Sequence, residues 1–411
     1  MMAENALKTT KKHSYIPTAA GIYITYAVLS MAQIIISQYS SYFQNSWNTN
    51  IAGISTVISM MGIGRILTIL FAGVFSDKFG RKPIFIVGMS CTVIFFIGLI
   101  FSTNIIMASI FSLFLGFMNS FGDAAGYPAL SEAFPAKSAS MNSLVKAAMS
   151  LAQFALPFIV AAIPNAKITL WILTAVIILD IIFIATSHFA PQAGKGEKTK
   201  DTKVETAKTE EVDDSRPKPS MKIDGLALIA LGFTISFTFY VYTQYIPNFG
   251  TAVLGLDANT AKSLMSWYAI FSLISVFVNT FMVTKVKPIY IVIFYPLISV
   301  IFLIILCIAP NPALAKVTSA IIGFFAAGGV WQLGLSVLTK YFPYEKGRVT
   351  GYYSFAAALT YFVGPFVSSF VINSTASSVL KVFWIDAGFT IIGVLLALFV
   401  EIRNRKYKFF R

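Results

Sequence analysis

Long apolar runs separated by short polar turns dominate the chain. They fall near residues 17–43, 51–75, 83–103, 106–131, 140–163, 168–189, 223–247, 259–283, 288–308, 314–339, 349–372 and 379–400. A bilayer core of about 30 Å is crossed by roughly 20 helical residues, so each run is long enough for a membrane helix and the pattern predicts twelve. Gly and Pro occur inside several runs, which membrane helices tolerate where neighbours satisfy the freed backbone groups. The sharpest change of pattern is at residues 73–83, GVFSDKFGRKP. Asp77, Lys78, Arg81 and Lys82 crowd this one turn, whereas residues 51–76 carry a single charge, Arg65, and residues 83–122 carry none.

Composition agrees with the pattern. The 411 residues are 57% hydrophobic and 12% charged, with mean hydropathy +0.76; soluble domains are about 25% charged. A net charge of +14 would suit a nucleic-acid partner, but its distribution argues against one. Lys8, Lys11 and Lys12 precede the first run, Lys78, Arg81 and Lys82 follow the second, Lys340, Lys346 and Arg348 follow the tenth, and Arg403, Arg405, Lys406, Lys408 and Arg411 end the chain. These segments all fall on one side of the membrane. The intervening turns hold only isolated cations such as Lys167 and Lys316, so the excess of basic residues places both termini in the cytoplasm. The first run is too long for the apolar core of a cleavable signal and lacks a cleavage pattern. Cys91 and Cys307 both fall mid-run, so neither a disulfide nor a metal site is expected. No cofactor is expected, and nothing resembles a nucleotide-binding loop, catalytic triad or metal cluster, which argues against an enzyme or an ATP-driven pump.

Residues 190–222 hold eight basic and seven acidic residues with almost no large apolar ones, the composition of a solvated linker. It divides the chain into residues 1–189 and 223–411, each with six runs. The two parts repeat one another. KPIFIV at residues 82–87 returns as KPIYIV at residues 287–292. Phe134-Pro135 and Pro157-Phe158 return as Phe342-Pro343 and Pro365-Phe366, and Tyr39, Tyr42 and Asn45 return as Tyr242, Tyr245 and Asn248. Nearly constant offsets of 203, 205 and 208 in matching runs point to duplication.

Six plus six helices, a charged central linker, cytoplasmic termini and the turn after the second run resemble the major facilitator superfamily. The turn meets its pattern G-x-x-x-D-[RK]-x-G-R-[KR] with Gly73, Asp77, Lys78, Gly80, Arg81 and Lys82. The resemblance covers the whole chain and implies an all-α membrane protein of two six-helix bundles. It is identified as similar to bacterial twelve-helix permeases: monomeric, in the cell membrane, transporting a small solute by alternating access, with H+ as the expected coupling ion. In that family the turn's acid meets the start of span eleven, here GRVTGYY, with Thr350 or the amides near Gly351 as receivers, since a helix N-terminus is a partial positive charge. Arg81 is then expected to reach Glu132 at the end of span four, and the two contacts to form a latch that joins the halves when the transporter faces outward. At the repeat offset, Gly73, Asp77, Gly80 and Arg81 become Val278, Met282, Lys285 and Val286. A purely topological turn would not need its acid in one copy only.

Charges within runs carry the remaining chemistry, because a charge near the midplane costs at least about 2.5 kcal/mol unless it faces a cavity or a partner. The resemblance implies that spans one, four, seven and ten line the cavity. Asp123 is therefore the leading proton carrier, with Arg65 as its ion-pair partner or a clamp for a substrate carboxylate, and Glu132 as a further acid for coupling. Lys146 either reaches substrate or snorkels to the inner surface. Asp180 and Asp386 belong to spans six and twelve and read as structural hydrogen-bonding groups. Gln33, Gln38, Tyr42, Asn119, Tyr127, Tyr242, Gln244, Tyr245, Trp331 and Gln332 are expected to converge on a small polar or anionic organic solute, an organic acid or a sugar-like molecule; the tyrosines could equally be interfacial anchors. Two other functions compete with proton-coupled symport. A drug-proton antiporter of the same fold commonly carries a Gly-rich stretch in span five, where this chain reads SLAQFALPFIVAA. A non-transporting membrane sensor would need a signalling domain, and none is evident.

Overall fold

The computed structural model describes residues 14–191, 219–282, 285–342 and 346–407. Most of the linker, Lys8, Lys11, Lys12, Pro343, Lys408 and Arg411 lie outside the described residues. Among those described there is no strand, and twelve helices are long and apolar enough to cross a membrane: α1 Ile16–Gln38, α2 Ile51–Phe79, α3 Arg81–Phe101, α4 Ile105–Ala133, α5 Ser140–Ala162, α6 Ala166–Thr186, α7 Met221–Ala252, α8 Ala258–Asn279, α9 Pro288–Ile308, α10 Pro312–Tyr341, α11 Arg348–Val371 and α12 Ala376–Arg405. Two six-helix bundles result. Odd helices start at the face that carries the Asp77 turn, here the linker face, and even helices start at the far face.

At the far face the sequence supplies short polar caps. Asn50, Asn104, Asn165 and Asn311 each accept a backbone N–H from the first turn of α2, α4, α6 and α10, at 3.1, 2.9, 3.0 and 2.9 Å. Asp257 caps α8 through the amides of Asn259 and Thr260, both at 3.0 Å. Side-chain acceptors here satisfy orphan amides that membrane headgroups would satisfy poorly. Asn50 and Asp257 are 207 residues apart, as are Asn104 and Asn311, so the caps belong to the repeat.

The bundles are apolar inside and out. Large apolar side chains such as Leu70, Phe71, Leu179, Ile182 and Leu395 are exposed, where lipid would meet them, while Ser55, Ser112, Thr174 and Ser299 are fully buried or nearly so. Buried Ser55 and Thr174 return their hydroxyls to carbonyls one turn back. Small residues let backbones approach closely, which is how membrane helices pack without a hydrophobic drive. A Cβ on Gly116 would overlap the Met61 carbonyl where α4 crosses α2, and one on Gly323 would overlap the Tyr268 carbonyl where α10 crosses α8. The two contacts are the same contact 207 residues apart.

One helix breaks the symmetry. α10 is regular over Pro312–Ile321, widens to a π-helical turn over Ile322–Ala327, and restarts as an α-helix at Val330–Tyr341. Between them Gly329 has φ 106°, a left-handed conformation glycine adopts without strain. The freed carbonyls are met from α8: Ser275 Oγ donates to Phe324 O at 2.6 Å, and Asn279 donates to Gly328 O. Tyr295 Oη in turn donates to Asn279 Oδ1 at 2.6 Å, fixing that amide.

The bundles touch along α2–α11, α5–α8 and α1–α7. Gly62 of α2 lies directly against the backbone of Tyr361 and Phe362 of α11. Ser266 Oγ donates to Phe154 O at 3.0 Å, and the Ser150 and Ser272 hydroxyls are 3.4 Å apart. Gln244 Nε2 donates to Gln33 O at 3.0 Å, and Lys262 Nζ lies 5.8 Å from the Tyr39 ring. These contacts between described residues run from the middle of the molecule to the far face.

Candidate functional site

Arg65 sits mid-way along α2, twelve residues from Asp77, or about 18 Å of helix. Its Nη2 lies 2.9 Å from Asp123 Oδ2 on α4, with side-chain exposures of 12% and 39%. Tyr26 Oη donates to the other oxygen, Oδ1, at 3.2 Å, and Ser120 Oγ donates to the Arg65 carbonyl at 2.9 Å. The crossing that Gly116 permits is what brings α2 and α4 close enough for this pair. Asp123 is thus held by two partners, yet it is the more open of the two ions, which gives it access to a small cation or proton from the interface between bundles.

The opposite wall comes from the second bundle. The Arg65 guanidinium carbon lies 4.7 Å from the centroid of the Tyr361 ring on α11, which packs tilted by 34° on Tyr240 of α7 with centroids 4.2 Å apart. Lys146 Nζ lies 5.9 Å from the ring of Phe239, the residue before Tyr240. Lys146 therefore does not reach for the surface; it points across the interface. Tyr127 packs at 5.3 Å on Tyr26 beneath Asp123. Gln33 Nε2 donates to Asn119 Oδ1 at 2.8 Å, joining α1 to α4, and the same Gln33 carries Gln244 from the other bundle. Among the described residues Arg65 Nε and both amide atoms of Gln38 are buried here without a hydrogen-bond partner, and Tyr240 Oη and Gln244 Oε1 have none but each other.

Other expected residues lie apart from this cluster. Tyr242 turns into the second bundle, where its hydroxyl and that of Ser319 are 2.9 Å apart and its ring packs edge-on to Phe383. Tyr42 lies in the short helix Ser40–Ser46 beyond α1 and meets Phe43 edge-on, an anchor at the far face. Trp331, just after the α10 break, packs at 5.1 Å on Tyr353, and Gln332 is exposed. Asp180 accepts from Thr25 Oγ1 at 2.6 Å between α6 and α1, a structural contact. Asp386 is fully buried and its carboxylate has no partner among the described residues.

The turn after α2 is built around Arg81. Its Nη1 lies 2.6 Å from Asp77 Oδ1 and donates to Ser76 Oγ at 2.9 Å, while its Nη2 lies 3.1 Å from Glu132 Oε1. The expected Arg81–Glu132 contact is present. The expected contact of Asp77 with the start of α11 is not: Asp77 is 71% exposed and takes Arg81, one turn on, as its partner. Gly80, at φ 103°, makes the reversal. Lys82 Nζ donates to the carbonyls of Ala185 and Ser187, capping the end of α6, and Lys78 lies 5.3 Å from the Phe79 ring. Gly73 has open space around it. Cys91 and Cys307 are free and buried, and no group of side chains suited to a metal ion occurs among the described residues.

The sequence matches the model of the Major Facilitator Superfamily over residues 22–365, with a second match over 254–409. The chain belongs to the major facilitator superfamily. It is 35% identical to the inner membrane transport protein YdiM of Escherichia coli (strain K12) across 96% of both chains. It is 33% identical to the uncharacterized MFS-type transporter YfkL of Bacillus subtilis (strain 168), covering 95% of this chain and 97% of the relative. Among solved structures, the D-xylose-proton symporter superposes with TM-score 0.74 at 16% identity, covering 94% of this chain and 97% of that one. The nucleoside transporter NupG superposes with TM-score 0.70 at 12% identity, covering 95% and 100%. As a superfamily member this chain is a multi-pass membrane transporter and not an enzyme.

Proposed function

We propose that this transporter is a proton-coupled symporter of a small polar or anionic organic solute, working by alternating access in a bacterial cell membrane. The basic residues of the linker face support a cytoplasmic location for it. Residues 1–189 and 223–411 act as the two moving units, and residues 190–222 tether them.

The observation that carries the reading is the Arg65–Asp123 pair at mid-depth, facing Tyr361 of the other unit. Arginine does not give up its proton, so Arg65 always needs an anion or a π face nearby. Asp123 supplies that anion when ionised. When Asp123 takes a proton, Arg65 loses its counter-ion and becomes free for an anionic or carbonyl group of the solute. Proton and solute then load together, which is the requirement for symport. The contacts between bundles at mid-depth and the far face, with Asp77 undocked, support a conformation open toward the linker face. In the alternate conformation Asp77 moves from Arg81 to the N-terminus of α11.

The test uses full-length protein in weakly buffered detergent with a pH dye, with a solute taken from a thermal-shift screen of sugars and organic acids. Solute binding is expected to draw about one proton per protein in the wild type and none in Asp123→Asn, which still binds. Equal proton uptake by the variant, or none by the wild type, overturns the reading.

A further inference from the structure

We propose that Lys146 is a second anchoring cation of the transport site, and that the solute is a small organic carboxylate bound beside the rings of Phe239, Tyr240 and Tyr361. The inference rests on the site described above and narrows its substrate class. Lys146 lies eight residues inside the helix Ser138–Ala162, about 12 Å along its axis. A cation that deep is retained only with a partner or a cavity, and its partner here is a ring of the opposite bundle.

Five acids among the described residues are paired with other cations, Asp180 and Asp257 are held by hydrogen bonds, and Asp386 lies unpaired inside the second bundle. Asp123 faces Arg65, Asp77 and Glu132 face Arg81, Asp224 faces Arg403 and Glu401 faces Arg405. No ion pair to Lys146 occurs among the described residues. At mid-depth the interface between bundles therefore sets Arg65 and Lys146 against Asp123, with Lys262 nearer the far face, and the excess of positive charge grows when Asp123 is protonated. An entering anion removes the imbalance; an entering cation worsens it.

The geometry suits such an anion. Both cations come from the first bundle and reach adjacent residues of α7, Lys146 to Phe239 and Arg65, through Tyr361, to Tyr240. The rings of Tyr240 and Tyr361 lie 4.2 Å apart, tilted by 34°, and Phe239 is the residue before Tyr240 on α7. Among the described residues Arg65 Nε is buried without a hydrogen-bond partner, and Tyr240 Oη and Gln244 Oε1, one turn apart on α7, have none but each other. Unmet buried polar atoms cost roughly 1–3 kcal/mol each, so a solute with matching carboxylate and hydroxyl groups gains by meeting them. Lys146 takes the carboxylate while Arg65 is still held by Asp123, and Arg65 joins after protonation.

The experiment measures thermal shifts of the full-length protein with three acids and their amides: gluconate and gluconamide, benzoate and benzamide, succinate and succinamide. The wild type is expected to be stabilised by at least one acid and not by its amide. Lys146→Gln is expected to weaken that acid at least tenfold, while Lys146→Arg stays within threefold. Asp123→Asn is expected to keep the acid-induced shift, so a failure of proton coupling would be read in that variant's proton uptake and not in the lysine series. Undiminished binding by Lys146→Gln, equal shifts from acid and amide, or no shift from any of the three acids overturns the proposal. Should Lys146→Gln fail to run as a single species on size exclusion, the acid-to-amide contrast in the wild type and Lys146→Arg decides.

Discussion

Two carboxylates share Arg81, and their surroundings make them unequal. Glu132 is 12% exposed while Asp77 is 71% exposed. An exposed pair one helical turn apart is worth well under 1 kcal/mol, whereas losing Glu132 leaves the largely buried Arg81 with only the exposed Asp77 and the Ser76 hydroxyl, at a cost below the about 3 kcal/mol of a fully stranded charge. Glu132→Ala is therefore expected to lower the melting temperature in detergent by several degrees, and Asp77→Asn to leave it within a degree or two. If Asp77→Asn nonetheless stops transport in proteoliposomes, its work is done in another conformation. Comparable losses of stability would contradict the assignment. The pairs Arg65–Asp123 and Arg81–Glu132 were legible in the sequence because so few charges occur in the spans that each has few possible partners. Phe239, Tyr240 and Tyr361 were not legible: an aromatic residue in an apolar run carries no mark of which face it occupies. The Asn caps did carry a signal, a short polar residue just ahead of each far-face run at a constant repeat offset.

At the scale of elements, the spans follow directly from hydropathy, because in lipid a long apolar run has little choice but to be a helix. Bounds and faces are harder, and Tyr242 illustrates why: repeat matching gives its span, while packing against Ser319 gives its direction. The α2–α4 and α8–α10 crossings offer a matched test of how the spans are held. Gly116→Ala and Gly323→Ala each drive a methyl into a backbone carbonyl, which cannot swing away as a side chain tip can. Each is expected to cost at least about 2 kcal/mol, with Gly116→Ala also disturbing the Arg65–Asp123 pair. Gly351→Ala, with open space at its Cβ, is expected to be neutral or to stabilise α11 by up to about 1 kcal/mol. Melting temperatures and the yield of monodisperse protein would check all three, and tolerance of Gly116→Ala would mean that the helices slide apart more freely than their contact implies.

At the scale of the molecule, the two bundles share a scaffold and differ in chemistry. Across the repeat offset of 207, Arg65 and Asp123 correspond to Ser272 and Val330, so the ion pair is confined to the first bundle and the second contributes rings. A transporter of this kind is expected to populate two separations at the linker face. Spin labels at Phe79→Cys on α2 and Tyr352→Cys on α11, both exposed positions, should report a long and a short distance. Adding Asp77→Asn should deplete the short one. A single distance unaffected by that change would remove the latch from the mechanism.

The break in α10 has a mechanical consequence. A continuous membrane helix resists bending because each degree of curvature strains a ladder of hydrogen bonds that lipid cannot replace. Between Ile322 and Gly329 that ladder is already interrupted, and the loose carbonyls are held by the side chains of Ser275 and Asn279. Side chains can follow a moving carbonyl in a way that a helical amide cannot. The second bundle therefore contains a compliant joint next to Trp331 and Gln332, where α4 of the first stays α-helical over Ile105–Ala133 and gives up one ladder bond at Pro128. The stiff half holds the charges in register, and the half that carries the rings has the softer spring.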